Sequence, residues 1–424
     1  MHSRTHHDGR IGVRLIACVI LPFSCGYLIS YLFRTVNSVI APDLIAELRL
    51  DQAGLGLITS TYLYAFTLFQ LPLGLLLDRY GPRRTHALLL AIAAFGSFLF
   101  AIGGSTFTLA FSRGVIGLGL SGGLMAAFKA NALWLPPARV PLANSVVVAF
   151  GGLGVFAATA PSDWMAHHYG WRSLFYVLAL VTLVVAGVVY WAAPHGAGTA
   201  EHADATPRGG AVGGWRAQLR DMGPIFRNAI FWRTAPMVAF VTGGFIAIQS
   251  LWTARWLNDV RLLDRAAVAG DLMVMAIAFS TGSLITGFVA DWATHRGIGL
   301  KTVMIGGFVI LGTAELGLVI DAPLPAWLLV AVLGVAGSGA NLAYVTLGEQ
   351  FGPTMAGRAQ TSLNLMLFLA AALIQSGIGW ALDLLGTAGI GGDAGTRYAM
   401  VFGLLLAVQV LSVVWFAGNS RVRR

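Results

Sequence analysis

The sequence predicts an all-α membrane protein with twelve transmembrane helices in two six-helix bundles and both termini in the cytoplasm. Of the 424 residues, 57% are hydrophobic and only 11% are charged, far from the composition of soluble proteins. The apolar residues form about a dozen runs of roughly 20 residues, the length that spans a bilayer as a helix. The positive charges fall in alternate loops, which sets the orientation of the chain.

Each apolar run must be helical, because lipid offers the backbone no hydrogen-bond partners. A closed barrel would instead show alternating segments of about ten residues, and the sequence has no such pattern. The predicted helices lie near residues 13–41, 53–77, 84–103, 107–135, 139–166, 171–192, 230–257, 266–291, 301–320, 324–349, 357–384 and 397–417.

A single long polar stretch divides the predicted helices into two sets of six. It runs from Pro194 to about Asn228 and is rich in His, Gly, Asp and Arg. We therefore predict an N-terminal bundle over residues 1–193, a cytoplasmic linker over 194–229 and a C-terminal bundle over 230–424.

The net charge of +9 could indicate nucleic-acid binding, but the location of the charge excludes it. With a cytoplasmic N-terminus, most arginines fall in the inner loops, as the positive-inside rule requires. The outer loops hold only Arg49, Arg172, Arg261, Arg265 and Arg397. We expect a multi-pass protein of the inner membrane, a monomer with the bilayer as its surroundings.

Corresponding loops of the two halves share a pattern. Residues 74–84 read GLLLDRYGPRR after the second predicted helix, and residues 287–296 read GFVADWATHR after the eighth. Both keep glycine, three apolar residues and then aspartate. This similarity indicates an internal repeat, as in many transporters.

The first of these loops resembles the signature of the major facilitator superfamily, with a proline inserted before its two arginines. Arg113-GVI-Gly117 resembles the opening of the family's fourth helix, and residues 151–161 resemble its glycine-rich, proline-closed fifth helix. The resemblance covers nearly the whole chain. It implies the fold of that superfamily and a secondary transporter that works by alternating access.

The signature loop is the predicted gate. Asp78 ends a helix at the inner surface, where it can pair with Arg79, Arg83 or a neighbouring helix end, and such a pair can differ in energy between two conformations. We expect it to hold the outward-open state; the alternative is that these arginines only enforce topology. The predicted gating residues are Gly74, Asp78, Arg79, Gly81, Arg83, Arg84 and Asp291.

Candidate substrate contacts are the ionisable residues within spans, which cost several kcal/mol unless they face a cavity or a partner. Arg34 shares one face of the first helix with Tyr27, Tyr31 and Ser38, at spacings of three and four residues. Lys129 is one of only two lysines against 25 arginines. This rarity indicates that an ammonium group, rather than a guanidinium group, is needed at this position. The alternative for Lys129 is that its side chain extends to the inner surface.

Residues 33–44, FRTVNSVIAPDL, resemble the first helix of the anion and organic-acid symporters of the superfamily. The resemblance implies that Arg34 contacts a substrate carboxylate and that Asn37 is the matching amide. The same branch commonly has glutamate in the fourth helix, where this sequence has Leu120. The resemblance therefore does not imply the branch's usual route of proton coupling for this sequence.

The two cations lie at different depths, with Arg34 in the outer half of its span and Lys129 in the inner half, over about 10 Å apart. Either the ligand is long and carries several acidic groups, or Arg34 serves the outward state and Lys129 the inward state. Arg113 lies on the opposite face of its helix from Lys129, so only one of these two readily faces a cavity.

The second half supplies neutral candidates that could bind by hydrogen bonding and stacking, or act only in helix packing. They are Gln249, Trp252 and Trp256, Asn341 and Tyr344, and Gln360, Asn364, Phe368 and Gln375. The candidate coupling residues are Arg113, Asp163 and Glu315.

The sequence favours a transporter of a small organic anion, coupled to protons or another ion, with import as the expected direction. A proton-driven drug or metabolite exporter of the same fold is an alternative, although a cation exporter should have an acidic cavity. A non-transporting scaffold or sensor is a third. We predict no enzyme activity, cofactor or metal, because no catalytic or ligand set occurs within a span, and the GxGxxG at residues 117–122 lies within an apolar helix.

Overall fold

The computed structural model describes residues 15–136, 139–194, 223–337, 343, 347, 351 and 355–418. Within these ranges every regular element is a helix. The elements are α1 (Ile16–Leu48), α2 (Gln52–Ile102), α3 (Thr106–Trp134, broken after Leu120), α4 (Val140–Ala157), α5 (Ala160–Tyr169), α6 (Trp171–Ala192), α7 (Ala229–Asp259), α8 (Arg265–His295), α9 (Leu300–Val319), α10 (Ala326–Gly337), α11 (Ala356–Thr387) and α12 (Ala394–Gly418).

Ten helical stretches of the described chain are long and apolar enough to cross a membrane, and Ala326–Gly337 is a shorter apolar helix. Large apolar side chains point outward from them: Leu68, Phe107 and Leu404 are 70%, 78% and 69% exposed. Such exposure would be unfavourable in water but suits lipid. The helical and membrane-spanning parts of the predicted fold are therefore confirmed.

The element α2 covers the second and third predicted helices. Its one non-helical residue is Gly81, with φ 76° and ψ 165°, and Pro82 follows; glycine adopts this backbone at little cost. Leu73 and Leu89 both reach the same point beside Gly122, although they would be about 24 Å apart on a straight helix. The chain therefore folds back at Gly81, as the signature loop requires.

The first helix is longer than predicted. It continues through Pro42 to Leu48 and ends at Arg49, which has a left-handed φ of 51°. The sequence prediction stopped near residue 41, before the proline. Proline removes only one backbone donor near the end of a helix, so two further turns form and carry Asp43 beyond the predicted end of the span.

Side-chain caps set where several helices begin. Asp51 accepts from the Gly54 amide at 2.7 Å to start α2, and Asp264 accepts from the Ala267 amide at 2.8 Å to start α8. These caps satisfy backbone donors that have no partner in the first turn. Loops of a few residues therefore suffice to reverse the chain.

The helices have two ends, which we name the near end and the far end. The near end contains Gly81 and the end of α6, where Arg83 contacts Tyr190. At the far end, Arg172 at the start of α6 pairs with Glu47 of α1 at 2.5 Å and donates to the Gly103 carbonyl at 3.0 Å. We call residues 15–194 the first part and residues 223–418 the second part.

The helix α7 is not uniform. It contains two wide turns, at Val238–Thr242 and Ile248–Trp252, in which the hydrogen bonding skips one extra residue. Each wide turn rotates the residues that follow it and is frequent at functional sites. Gln249 and Trp252 lie in the second wide turn and Trp256 lies in the regular helix after it.

Candidate functional site

Arg34 of α1 lies at the boundary between the two parts. Its guanidinium carbon is 4.6 Å from the ring centre of Tyr31, 5.4 Å from that of Phe66 and 5.0 Å from that of Phe368. The first two rings belong to the first part and Phe368 belongs to α11 of the second. Phe66 and Phe368 also touch each other, with ring centres 4.7 Å apart. The site is therefore built from both parts.

No carboxylate of the described residues lies within 4.0 Å of the Arg34 guanidinium. The side chain is partly exposed, and its Nε is buried without a hydrogen-bond partner. The three rings contribute cation–π attraction, of order 1 kcal/mol each. Because they do not cancel the charge, Arg34 remains a cation that can bind an anion.

The other predicted contacts of α1 surround Arg34 on its helix. Tyr27 and Tyr31 make an edge-to-face pair with ring centres 5.0 Å apart. Asn37 is fully buried and donates to the Thr59 hydroxyl at 3.0 Å, while its carbonyl oxygen has no partner. The structure therefore places the two tyrosines near Arg34. Asn37 lies about one helical turn further along α1, where it packs against α2.

The glycines of α4 let that helix approach α1. A Cβ added to Gly154 would lie 2.1 Å from the Leu28 carbonyl oxygen, and one added to Gly151 would lie 2.8 Å from the Tyr27 ring. Such short distances require glycine. The glycines of α4 therefore allow its backbone to pack directly against Leu28 and the Tyr27 ring.

Arg113 lies behind the site rather than in it. It is fully buried in α3, donates from Nη2 to the Phe33 carbonyl at 3.0 Å and lies over the Tyr62 ring at 5.1 Å. Phe33 precedes Arg34, so this bond holds the backbone of α1 beside the site. Its predicted coupling role stays a prediction.

Lys129 pairs with Asp78 at the near end. Sequence analysis proposed both a substrate contact for Lys129 and an ion pair for Asp78 with Arg79, Arg83 or a neighbouring helix; the structure shows the last of these. The ammonium is thus engaged away from Arg34. Lys129 therefore does not join Arg34 in one site in this conformation, and its contact with substrate stays a prediction.

The remaining signature residues fix the loop. Arg83 donates from Nε to the Tyr190 carbonyl of α6 at 2.5 Å, and Arg79 stacks over Tyr80 at 5.3 Å. Arg84 is exposed and Gly74 partly buried. In the second copy, Asp291 is exposed and 3.5 Å from His295 of its own helix, so among the described residues it has no partner on another helix.

The neutral candidates of the second part separate into two groups. Gln249 and Asn364 are partly exposed, and the Gln249 amide nitrogen is buried without a partner. Trp252 is fully buried and donates to the Gln375 carbonyl at 3.0 Å, which makes it a packing residue between α7 and α11. Asn341 and Tyr344 lie outside the described residues.

The two predicted acidic coupling residues differ in environment. Asp163 of α5 pairs with Arg265 at 2.5 Å. Glu315 of α9 is 2% exposed and accepts from Gln409 of α12 at 3.3 Å, while its second oxygen has no partner. Glu315 is therefore a buried acid without a nearby cation among the described residues.

The far end carries a charged connection between the two parts that sequence analysis missed. Arg265 of α8 contacts Asp43 of α1 at 2.7 Å as well as Asp163 of α5. Asp383 of α11 accepts from the backbone amides of Gln52 at 3.2 Å and Ala53 at 2.5 Å, at the start of α2. We call Arg265, Asp43, Asp163 and Asp383 the far-end latch.

Close packing accompanies the latch. A Cβ added to Gly379 of α11 would lie 2.4 Å from the Gln52 carbonyl oxygen. Nearby, the Tyr64 hydroxyl hydrogen-bonds Ser376 at 3.0 Å. The parts are therefore in direct contact at the far end. Opposite charges at the predicted outer helix ends were the available signal, but the sequence did not show which helix ends meet.

A helical membrane protein with an uncompensated cation where two sets of helices meet has the construction of a secondary transporter. The chain belongs to the major facilitator superfamily, whose family model matches residues 23–375. The predicted family is confirmed. Because the family and the curated relatives are transporters, the prediction that the chain is not an enzyme is confirmed as well.

Curated relatives are organic anion transporters. The chain is 26% identical to a probable sulfoacetate transporter of Cupriavidus necator, over 68% of this chain and 67% of the relative. It is 22% identical to a hexuronate transporter of Escherichia coli over 88% of each chain. It is 24% identical to a gallate transporter of Pseudomonas putida, over 94% and 85%. These names agree with the organic anion branch that the first helix resembles.

Solved structures share the fold. An inward-facing, occupied bacterial homologue of the human lysosomal transporter Spinster superposes with a TM-score of 0.70 at 18% identity, covering 95% of this chain and 96% of the other. A partially occluded, inward-open xylose transporter of Escherichia coli gives 0.71 at 14% identity, covering 96% and 98%.

Proposed function

We propose that this protein imports a small organic anion across the bacterial inner membrane by alternating access, coupled to protons. The observation that carries the proposal is Arg34, a partly exposed cation between the two parts with no carboxylate near it among the described residues. A buried charge without a partner costs several kcal/mol, and a visiting anion removes that cost. The relatives named for sulfoacetate, hexuronate and gallate support the same cargo class.

We further propose twelve spans in two bundles, over residues 1–193 and 230–424, with 194–229 as a cytoplasmic linker. The fold-back of α2 at Gly81 supplies two spans, α4 and α5 form one, and α10 lies within the tenth predicted span. The positive-inside pattern assigns the near end and both termini to the cytoplasm. The far end is then the outer surface.

The contacts between the parts support a gate at the far end, and the ion pair of the signature loop supports one at the near end. The far-end latch closes the outer side in this structure, and the rocking of one bundle against the other must break it. At the near end, Asp78 and Lys129 link α2 to α3 within the first part. Their pair belongs to the inner gate and changes its energy as the bundles move.

Of the two acidic coupling candidates, Asp163 is paired with Arg265, whereas Glu315 has no cation in contact with it among the described residues. We propose it as the proton carrier in place of the glutamate that Leu120 replaces. The contact of Gln409 with the Phe240 carbonyl in the wide turn of α7, at 3.3 Å, joins Glu315 to the helix that carries Gln249. Protonation of Glu315 can therefore affect the substrate site through α7.

Arg34→Ala tests the proposal. The assay measures the uptake of a panel of carboxylates into proteoliposomes, with and without a pH gradient. We expect Arg34→Ala to abolish this uptake while the folded protein remains in the membrane. Arg296→Ala is the matched control, because Arg296 also stacks on a ring, Trp292 at 4.6 Å, but is exposed near the end of α8. Unchanged uptake by Arg34→Ala removes Arg34 from the site, and uptake of cations instead of anions supports the exporter alternative.

A further inference from the structure

We infer that the anion is a monocarboxylate with a flat aromatic body, rather than a dicarboxylate or a polyhydroxy acid. This inference rests on the proposed function and narrows its substrate class. It follows from two independent features of the Arg34 site, the number of free cations and the chemistry of the surrounding side chains.

Three other cations of the spans are paired or fully buried, whereas Arg34 is partly exposed and has no acidic partner among the described residues. Lys129 is paired with Asp78, and Arg255 of α7 is paired with Asp259 at 2.8 Å. Arg113 is fully buried and hydrogen-bonded to a backbone carbonyl behind the site. Beyond the described residues, the sequence from 338 to 354 contains no lysine or arginine that could add a cation.

A second carboxylate on the substrate would therefore have no positive partner. Transfer of an unpaired carboxylate into such an interior costs several kcal/mol. One carboxylate beside Arg34 instead balances the charge of the site. The substrate that fits this balance is a monoanion.

The rings around Arg34 restrict how that carboxylate binds. Tyr31, Phe66 and Phe368 lie with their centres 4.6 to 5.4 Å from the guanidinium carbon. Because Nε is buried without a partner, the open donors of the guanidinium are its two terminal nitrogens, Nη1 and Nη2. A carboxylate binds these two nitrogens with both oxygens in the guanidinium plane.

The body of the substrate then continues among the same side chains. Phe66 and Phe368 offer no hydrogen bonds, so a hydroxyl group that lies against these two rings loses its bonds to water without replacement, at about 1–3 kcal/mol for each unsatisfied group. A flat π system instead gains stacking contacts with these rings. The Tyr27 and Tyr31 rings extend the aromatic surface along α1.

The experiment compares four probes on the full chain in proteoliposomes, by inhibition of labelled benzoate counterflow. The competitors are unlabelled benzoate, glucuronate, galactarate and sulfoacetate. We expect benzoate to bind at least about tenfold more tightly than glucuronate and more tightly than either dianion. Phe66→Leu and Phe368→Leu should each weaken benzoate about fivefold and leave glucuronate within about twofold, because only the aromatic body uses the rings.

Phe98→Leu is the matched control, because the Phe98 ring contacts the Tyr176 ring on the exposed surface with ring centres 5.9 Å apart. This substitution should change the binding of neither benzoate nor glucuronate. Tightest inhibition by galactarate, sulfoacetate or glucuronate, or equal losses for benzoate and glucuronate in the two phenylalanine variants, overturns the inference while anion transport stands. If no labelled carboxylate exchanges at all, in the benzoate assay or with labelled glucuronate and galactarate, the proposed function fails and the inference fails with it.

Discussion

Removal of one negative charge from the far-end latch should open the outer side. The Asp383 carboxylate accepts hydrogen bonds from the Gln52 and Ala53 amides at the positive end of the α2 dipole. Within α2 these two amides have no acceptor. Asp383→Asn keeps the size of the side chain and one carbonyl acceptor. The substitution therefore removes mainly the electrostatic part of the contact between α11 and α2.

The size of the effect follows from the position of the carboxylate. A charge at a helix N-terminus contributes about 0.3–1 kcal/mol when exposed and up to about 2 when partly buried. Asp383 is partly buried, which indicates about 1 kcal/mol. This free energy corresponds to about a fivefold rise in the ratio of outer-open to outer-closed molecules.

Cysteine labelling measures that ratio. Cys18 and Cys25 are replaced by alanine, and Ala269→Cys is added as the reporter, because Ala269 is only 5% exposed and lines a small cavity behind Arg265. A membrane-impermeant maleimide applied on the outer side should then react about fivefold faster in Asp383→Asn, since labelling follows the open population.

Asp393→Asn is the control. Asp393 accepts from the Thr396 amide at 2.9 Å and caps α12 within the second part. This contact does not join the second part to the first part. Equal labelling rates with and without Asp383→Asn, or the same acceleration by Asp393→Asn, would refute the argument that Asp383 joins the two parts.

Three further outcomes are expected. Gly379→Ala should also speed the labelling of Ala269→Cys, because the added Cβ meets a backbone carbonyl of α2. Gly377→Ala should not, because no atom lies within 4 Å of its added Cβ. Equal labelling rates in the two variants would contradict close packing of α11 against α2. Lys129→Ala and Asp78→Ala should each slow transport. In the double variant, the increase in activation free energy should be smaller than the sum of the two single increases by about 0.5–1 kcal/mol. Additive increases would contradict an interaction between the two side chains during transport. Glu315→Gln should keep substrate exchange but lose accumulation driven by a pH gradient, as a side chain that cannot release a proton requires; normal accumulation would exclude Glu315 as the carrier.

Several features were predictable because they depend on short-range chemistry. The apolar runs specify helices, since no other backbone is satisfied in lipid, and Gly81 with Pro82 specifies the reversal inside α2. Arg34 was identifiable because a lone arginine in an apolar helix is costly in any tertiary arrangement. Its approach to Phe368 could not be predicted, because the two residues are over 300 positions apart in the chain.

The amino-acid sequence by itself determined the helical membrane fold, the family and the position of Arg34, because composition, helical period and the signature loop act within one or two turns. Only the tertiary structure decided which charges meet. Lys129 has the same sequence context whether it reaches a substrate, the membrane surface or Asp78, and Arg265 has the same context with or without Asp43 and Asp163 beside it. The partner of a buried charge is set by the packing of whole helices, and therefore by interactions distant in sequence.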